Sequence, residues 1–266
     1  MPGLTRATPR GMDDAAGELL RVERLGVDYG PRTALDGVSF AVGPGELVAV
    51  IGPNGSGKST MFKAIAGLVA HRGEVILGGV PCAARGRHLA AFVPQRADVD
   101  HEFPITVAEL VALGRRRFTG PFRRLSPLDR AAVADAIEQV GLRGRERSVI
   151  GSLSGGQLQR AFLARALVQG AELLLLDEAM SGVDQAATAE LMALFSALTG
   201  EGVSLLIATH DLALARRRFS RCLAINGALV ADGPPGQVLI GGALEATFGS
   251  GEPRPRAEAA VGAANR

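Results

Sequence analysis

Short apolar runs recur along this chain and alternate with stretches in which apolar residues return every three or four positions. Uninterrupted runs of this kind are typical of parallel strands buried on both faces, and the stretches between them are typical of helices packed on one side. The pattern predicts an α/β fold with a doubly wound parallel sheet, whose ligands bind at the carboxyl ends of the strands. The predicted parallel strands are 46–51, 90–94, 172–177 and 203–208.

Two other kinds of structure are predicted around this core. Between residues 95 and 153 the pattern is helical, and Ser126 with Pro127 marks the start of one helix, which ends at Gly141. The dipeptide Asn226-Gly227 lies between two apolar runs and is a strong signal for a two-residue hairpin. The predicted antiparallel strands are 20–29, 36–42, 73–80, 222–225 and 228–231.

A phosphate-binding loop is the first candidate site. Residues 52–59, GPNGSGKS, follow a predicted strand and fit the pattern G-x-x-x-x-G-K-[ST]. The glycines let successive backbone N–H groups face phosphate oxygens, and the helix that begins at about Ser59 adds its positive dipole end. We expect Lys58 to reach the β- and γ-phosphates and the Ser59 hydroxyl to bind Mg²⁺. The predicted phosphate-binding residues are Gly52, Pro53, Asn54, Gly55, Ser56, Gly57, Lys58, Ser59 and Thr60.

A second anion site and a pair of carboxylates narrow the chemistry. Residues 153–157, LSGGQ, precede a helical stretch, so that their serine and glycines lie at a helix N-terminus. Farther along, the apolar run 173–176 ends in Asp177 and Glu178. Because neighbouring residues on a strand point to opposite faces, we expect Asp177 to face Mg²⁺ and Glu178 to face the water that attacks the γ-phosphate.

In this order the motifs resemble those of the ATP-binding-cassette (ABC) ATPase family, and the resemblance covers about 19–248. It implies a P-loop NTPase with a RecA-like parallel sheet core, an antiparallel β subdomain and a helical insertion that carries the ABC signature. The implied organisation is an ATPase domain at 19–249, with a helical subdomain at about 96–165, between disordered tails at 1–18 and 250–266. The implied cofactors are ATP and Mg²⁺.

The resemblance also assigns roles to individual residues. Tyr29, the one tyrosine of the chain, takes the place of the aromatic residue that stacks on adenine. Gln95 takes the place of the Q-loop glutamine, which is both a catalytic residue and a Mg²⁺ ligand alongside Ser59 and Asp177. His210 takes the place of the switch histidine, which acts with Glu178 in catalysis.

A second copy of the chain is expected to complete the nucleotide site, because the helical insertion separates the phosphate loop from the signature. The resemblance implies a head-to-tail, ATP-dependent homodimer. Residues 181–184 take the place of the family's D-loop. Ala179 departs from the family pattern, in which proline follows the catalytic glutamate, and loss of that proline is expected to loosen the segment. The remaining implied nucleotide-binding residues are Ser154, Gly155, Gly156, Gln157 and Asp184.

Composition and charge fit one compact catalytic unit. The apolar fraction is 47% and the net charge is +2, with basic residues scattered among acids, so no nucleic-acid partner is expected. The N-terminal residues lack the apolar core of a signal peptide, and no run reaches the roughly 18–20 apolar residues of a membrane span. The expected location is the cytoplasmic face of the cell membrane, peripheral, through a separate multi-span permease.

The cargo is predicted from residues 92–107, FVPQRADVDHEFPITV, which resemble the Q-loop region of importers for manganese, zinc or chelated iron. In that family this region receives the coupling helix of the permease, and an extracytoplasmic substrate-binding protein is the implied indirect partner. The transported metal is not expected to bind this chain, because its four histidines are scattered.

Other classes of ATPase share these motifs. A soluble ABC ATPase of iron–sulfur-cluster assembly has a similar size, and a transporter motor for a non-metal cargo would differ only in its partners. A DNA-repair or chromosome ATPase of the family is disfavoured, because no long heptad coiled coil separates the nucleotide-binding halves. A plain P-loop kinase is excluded by the signature.

Overall fold

The structure, a computed structural model, describes residues 17–82, 89–95, 103–116, 124–178, 180 and 185–249. The strands are β1 (Leu20–Tyr29), β2 (Arg32–Val42), β3 (Leu47–Ile51), β4 (Arg72–Leu77), β5 (Val80–Pro81), β6 (Ala90–Val93), β7 (Leu173–Asp177), β8 (Ser204–Ala208), β9 (Arg221–Ile225) and β10 (Leu229–Gly233). The helices are α1 (Lys58–Ile65), α2 (Val107–Leu113), α3 (Pro127–Gln139), α4 (Gly155–Val168), α5 (Gln185–Gly200), α6 (Leu212–Arg218), α7 (Pro235–Val238) and α8 (Gly241–Phe248).

The larger sheet has six strands in the order β10-β9-β3-β8-β7-β6. All its pairs are parallel except that of β9 with β10. The four predicted parallel strands are confirmed, each within one residue of its predicted ends. β9, predicted only as one arm of a hairpin, pairs in parallel with β3 and so extends the parallel core.

Alternate side chains of the central strands enter two separate cores. On β3, Ala49 and Ile51 face the core that contains the helical insertion and α5, whereas Val48 and Val50 face the core that contains α1 and the smaller sheet. Residues on β7 alternate in the same way. The strands are therefore covered on both faces, which is why their sequences read as unbroken apolar runs.

The smaller sheet is antiparallel, with the order β2-β1-β4-β5. The single strand predicted at 73–80 is wrong, because Gly78 and Gly79 have φ of +58° and +74° and turn the chain between β4 and β5. The strand predicted at 36–42 begins earlier, at Arg32, because it pairs with β1 as far as Tyr29. The antiparallel part itself is confirmed.

The helical insertion contains α2, α3 and α4, which pack on one another. Ser126 is confirmed as the N-cap of α3, and its hydroxyl accepts a hydrogen bond from the Asp129 N–H at 3.1 Å. Gly141, with φ +73°, follows the end of this helix as predicted. No helix in the described ranges is both long and apolar enough to cross a bilayer.

The hairpin between β9 and β10 has a three-residue loop, so the predicted two-residue loop is wrong. Ile225 pairs with Leu229, and the residues between them form the loop. The physical reason lies in tertiary contacts of Gly227. Its N–H donates to the Ser56 carbonyl at 2.9 Å, and its carbonyl accepts from the Asp36 N–H at 2.8 Å.

The predicted domain limits stay a prediction, since the tails at 1–16 and 250–266 lie outside the described residues.

Candidate functional site

The phosphate loop connects β3 to α1 and packs closely against its neighbours. Gly52 has φ +155°, and a Cβ at this position would lie 2.1 Å from the Ile225 carbonyl oxygen. Gly57 has φ +100°, and a Cβ there would lie 2.4 Å from the Leu35 side chain. Neither position accommodates a side chain, so the sequence pattern with glycine at both ends reflects contacts with β9 and β2.

The N-terminus of α1 faces the inside of this loop without a side chain that caps it. Gly57 is the N-cap and provides no side-chain hydrogen bond, so the first N–H groups of the helix keep their capacity to bind an anion. Within the described residues, the buried Ser56 hydroxyl is also without a hydrogen-bond partner. A buried, unsatisfied polar atom costs about 1–3 kcal/mol, and a polar ligand in the loop would remove that cost.

Lys58 extends back across the loop rather than into solvent. Its Nζ donates to the Gly52 carbonyl at 2.8 Å and to the Pro53 carbonyl at 2.9 Å. Burial lowers the pKa of Lys58, while the charges of Glu178 and Asp177 act in the opposite direction. The ammonium is therefore held close to the predicted phosphate site, in surroundings that an added anion would make more favourable.

Asp177 is buried at the carboxyl end of β7 and accepts a hydrogen bond from the Ser59 side chain. Burial raises the pKa of this carboxyl, and the neighbouring Glu178 charge adds to the rise, while the Ser59 hydrogen bond and Lys58 oppose it. Two adjacent hard oxygen ligands, one of them a buried carboxylate, fit the preference of Mg²⁺ for oxygen. A cation here would also relieve the electrostatic cost of the buried charge.

Glu178 lies just past the end of β7, so the predicted alternation of Asp177 and Glu178 along the strand is wrong. Its φ is +49°, a left-handed conformation that is uncommon for a residue with a side chain. The Glu178 carboxylate lines the site and accepts a hydrogen bond from Gln95 Nε2 at 2.8 Å. This contact directs the two side chains toward each other across the carboxyl ends of β6 and β7. Strained backbone of this kind is frequent at functional sites.

Most of these groups line a cleft of about 530 Å³. The cleft is lined by most of the predicted phosphate loop, by the predicted adenine-stacking tyrosine, and by Gln95 and Glu178, two of the three side chains predicted for catalysis. Tyr29 is half-exposed, which leaves a ring face open to a ligand. The lining residues are Tyr29, Arg32, Ala34, Asn54, Gly55, Ser56, Gly57, Lys58, Ser59, Thr60, Gln95 and Glu178.

Several predicted site residues do not line this cleft. His210 is exposed just past β8, and Asp177 contributes through its contact with Ser59. Gly52 and Pro53 contribute carbonyl groups to Lys58. The D-loop residues 181–184, which include Asp184, and the departure at Ala179 lie outside the described residues.

The signature residues Ser154, Gly155, Gly156 and Gln157 also do not line the cleft. They begin α4, and Ser154 is its N-cap. The Ser154 hydroxyl accepts from the Gln157 N–H at 3.3 Å, and the Gln157 side chain accepts from the Ser154 N–H at 3.1 Å. This reciprocal capping box satisfies part of the helix N-terminus within the chain itself.

Sequence reasoning missed three contributors to the site. Arg32 and Ala34 line the cleft from the start of β2, and Gly227 holds the back of the phosphate loop. Tyr29 and Arg32 are directly paired across the turn between β1 and β2, so the tyrosine could have drawn attention to the arginine. No local signal marks Gly227 as a contact of the phosphate loop, because that contact joins distant parts of the chain.

Comparison with known proteins identifies relatives of the whole catalytic unit. The ABC transporter family profile matches residues 35–181. The manganese transport system ATP-binding protein MntB of Listeria monocytogenes is 37% identical over 231 residues, which are 86% of this chain and 96% of MntB. The zinc transport system ATP-binding protein TroB of Treponema pallidum is 40% identical over 215 residues, 80% of each chain.

Solved structures agree with these sequence relatives. The ATP-binding subunit of an ABC transporter superposes with a TM-score of 0.71 at 29% identity, covering 83% of this chain and 91% of the other. The P-loop NTPase fold, with its antiparallel subdomain and helical insertion, is thereby confirmed. The motifs, the cleft and these relatives together show that the chain belongs to the ABC transporter family, as an ATP-binding subunit that hydrolyses ATP.

Proposed function

We propose that this chain powers the import of a divalent metal, manganese or zinc first and chelated iron as the third candidate, through a separate membrane permease. The observation that carries the proposal is that 86% of the chain aligns with almost the whole of a manganese transport ATPase. The cleft brings together Lys58, Gln95 and Glu178, which are proposed to act in hydrolysis. The resemblance of residues 92–107 to the Q-loop region of metal importers adds to this support.

In the proposed mechanism the cleft first binds and orients the triphosphate. Tyr29 stacks on adenine, the N–H groups at the start of α1 bind phosphate oxygens, and the Lys58 ammonium moves from loop carbonyls to the β- and γ-phosphates. Phosphoryl transfer depends mostly on such positioning of charge, with little covalent help from the protein. The catalytic contribution of the loop is therefore electrostatic.

Glu178 is the proposed base or water-positioning group. Its carboxylate accepts from Gln95 at 2.8 Å, which fixes its direction before a water is bound. Because the Gln95 N–H₂ group is used in this contact, its amide oxygen is the end that can act as a ligand. Ser59, Asp177 and Gln95 are the proposed ligands of Mg²⁺. When bound, Mg²⁺ supplies positive charge that offsets the charge of the phosphates.

A head-to-tail homodimer is part of the proposal. Within one chain the signature residues lie outside the cleft, and they begin a helix whose N-terminus can bind an anion. A second copy would place Ser154, Gly155 and Gly156 over the γ-phosphate of the nucleotide that the first copy holds. His210 is proposed to contact the γ-phosphate. Asp184, in the D-loop, is proposed to contact the opposite chain.

The permease is proposed to dock beside the Q-loop. Two large apolar side chains are exposed in this region, Phe103 at 57% and Leu113 at 46%. Phe103 precedes α2, and Leu113 is the last residue of this helix. Docking would hold the chain at the cytoplasmic face of the membrane, and an extracytoplasmic substrate-binding protein would deliver the metal to the permease.

Measurement of cellular metal tests the cargo. We expect deletion of the gene to lower cellular manganese or zinc when external metal is scarce, as measured by inductively coupled plasma mass spectrometry. Wild-type protein should restore the metal content, and the Glu178→Gln variant should not. Unchanged metal with a defect in the transport of a sugar, amino acid or lipid would contradict the cargo. Unchanged metal with low iron–sulfur enzyme activity would favour the soluble assembly ATPase instead.

A further inference from the structure

An arginine that no family motif includes lies in the wall of the nucleotide cleft. Arg32 begins β2, and the turn from Tyr29 to Arg32 brings these two residues side by side as a cross-strand pair. Both line the cleft. An atom at the Cβ position of Gly55, in the phosphate loop, would lie 4.0 Å from an Arg32 guanidinium nitrogen. The guanidinium therefore lies between the adenine-stacking ring and the phosphate loop.

Neighbouring charges leave the Arg32 guanidinium available to a ligand. The two carboxylates of this corner are taken by a different arginine, since Arg72 donates to Asp28 at 3.1 Å and to Asp36 at 3.4 Å. Asp28 also accepts from the Thr33 hydroxyl at 2.8 Å. Within the described ranges, no hydrogen bond or ion pair involves the Arg32 side chain. The network around Arg72 thus fixes the turn that carries Arg32 without using its charge.

The position selects the part of the nucleotide that Arg32 can reach. Lys58 is expected at the β- and γ-phosphates, and its ammonium is held by the carbonyls of Gly52 and Pro53, at the start of the loop. A nucleotide that stacks on Tyr29 and ends near Lys58 must run past Arg32 with the adenosine end of its phosphate chain. A guanidinium is planar and always charged, and its paired donors match two oxygens of a phosphate.

We propose that Arg32 binds the phosphate chain of the nucleotide at its adenosine end, on the α- and β-phosphates. It would act as a positioning residue that holds ATP and ADP alike against Tyr29, before and after hydrolysis. The proposal rests on the nucleotide site described above and adds one residue to it. A contact that ATP and ADP share adds to binding but does not favour the transition state over the ground state. Its loss is therefore expected in affinity and KM rather than in kcat.

Binding of ATP and ADP to Arg32→Ala provides the test, by isothermal titration with EDTA present so that metal binding does not contribute. We expect both affinities to fall about tenfold, as for one charge-assisted contact that is partly exposed. Arg32→Lys should recover part of the loss, because it keeps the charge without the fork. Arg21→Ala is the matched control, since Arg21 lies on β1 and pairs with Glu23 at 3.5 Å, away from the cleft.

The outcomes separate this proposal from the nucleotide site itself. An equal loss for ATP and ADP in Arg32→Ala, with kcat retained and KM raised, supports the proposed contact. A loss for ATP alone would move Arg32 to the γ-phosphate and overturn the placement. Unchanged affinities for both nucleotides would mean that Arg32 is only a surface arginine. If the unmodified chain bound neither nucleotide, the site itself would fail and not merely the role of Arg32.

Discussion

The phosphate loop and the signature loop are both glycine-rich and both lead into a helix, but their helix N-termini are satisfied differently. At α1 the N-cap is Gly57, with no side-chain hydrogen bond. At α4 the N-cap is Ser154, and a reciprocal capping box with Gln157 is complete. The first loop therefore offers N–H donors to any phosphate, whereas the second already uses part of its capacity internally.

This difference gives a physical reason for the proposed dimer, in which the signature acts on a nucleotide that another copy holds. Lys58 and the α1 N-terminus converge on one cleft within a single chain. The signature lies outside that cleft, and an anion bound there must compete with an existing capping box. A free phosphate, which must pay its own ordering cost, would compete poorly with the capping box. A γ-phosphate already fixed by the phosphate loop of another copy would compete well, because its ordering cost has been met.

The largest expected effect comes from Glu178→Gln, which tests whether nucleotide held by the first loop is hydrolysed by the carboxylate beside it. The substitution removes the charge but keeps the shape and the contact with Gln95. Steady-state ATPase turnover should fall about 100-fold or more, with ATP affinity retained. Glu172→Gln is the matched control, because Glu172 precedes the opposite end of β7. Near-normal turnover of Glu178→Gln would remove Glu178 from its role.

Lys58→Ala breaks the first loop itself. The phosphates lose a charge-assisted partner, so ATP affinity should fall roughly 10- to 100-fold. The chain has one other lysine, Lys63, which lies on α1 outside the cleft. Lys63→Ala should therefore bind ATP nearly as the unmodified chain does. Equal losses in the two variants, measured by equilibrium titration, would show that general charge on α1 matters and not the position of Lys58.

Ser154→Ala opens the capping box of the second loop. Loss of an N-cap hydrogen bond destabilises a helix by about 1 kcal/mol. We therefore expect the melting temperature of the nucleotide-free chain to fall by about 2–4 °C, the shift that this energy gives in a domain of similar size. ATP binding by the monomer should not change. Ser154→Asn keeps a capping side chain and should melt nearly as the unmodified chain does. An unchanged melting temperature in Ser154→Ala would mean that the box does not hold α4.

The smallest expected effect concerns Asp177, at the end of β7, and it tests whether a buried charge beside the phosphate loop is kept at the expense of stability. Burial raises the pKa of Asp177, so its stabilising contribution is present at low pH and is lost as the pH rises through the raised value. At neutral pH the ionised carboxylate is destabilising. Asp177→Asn should raise the melting temperature of the nucleotide-free chain by no more than about 2 °C, less than the shift expected for Ser154→Ala. This gain in melting temperature should shrink in acid, where Asp177 is protonated. A gain that grew in acid would contradict a raised pKa of Asp177.

Much of the fold could be predicted from the sequence because burial on both faces leaves unbroken apolar runs. The strands at Leu47–Ile51 and Leu173–Asp177 follow this rule, and the spacing of the glycines predicts the phosphate loop. The conformation of Glu178 could not be predicted, because its positive φ contradicts the preference of its residue type. The length of the loop between β9 and β10 also could not be predicted, since the contact of Gly227 with the phosphate loop overrides the local turn signal.

Size-exclusion chromatography with light scattering, in MgATP, tests most directly whether the two loops act across two chains. Glu178→Gln should elute as a dimer, because bound ATP is retained. The double variant Glu178→Gln, Ser154→Arg places a long side chain where the other copy's γ-phosphate should lie and leaves the phosphate loop intact. It should bind ATP and remain a monomer. A double variant that binds ATP and still dimerises would contradict the head-to-tail arrangement.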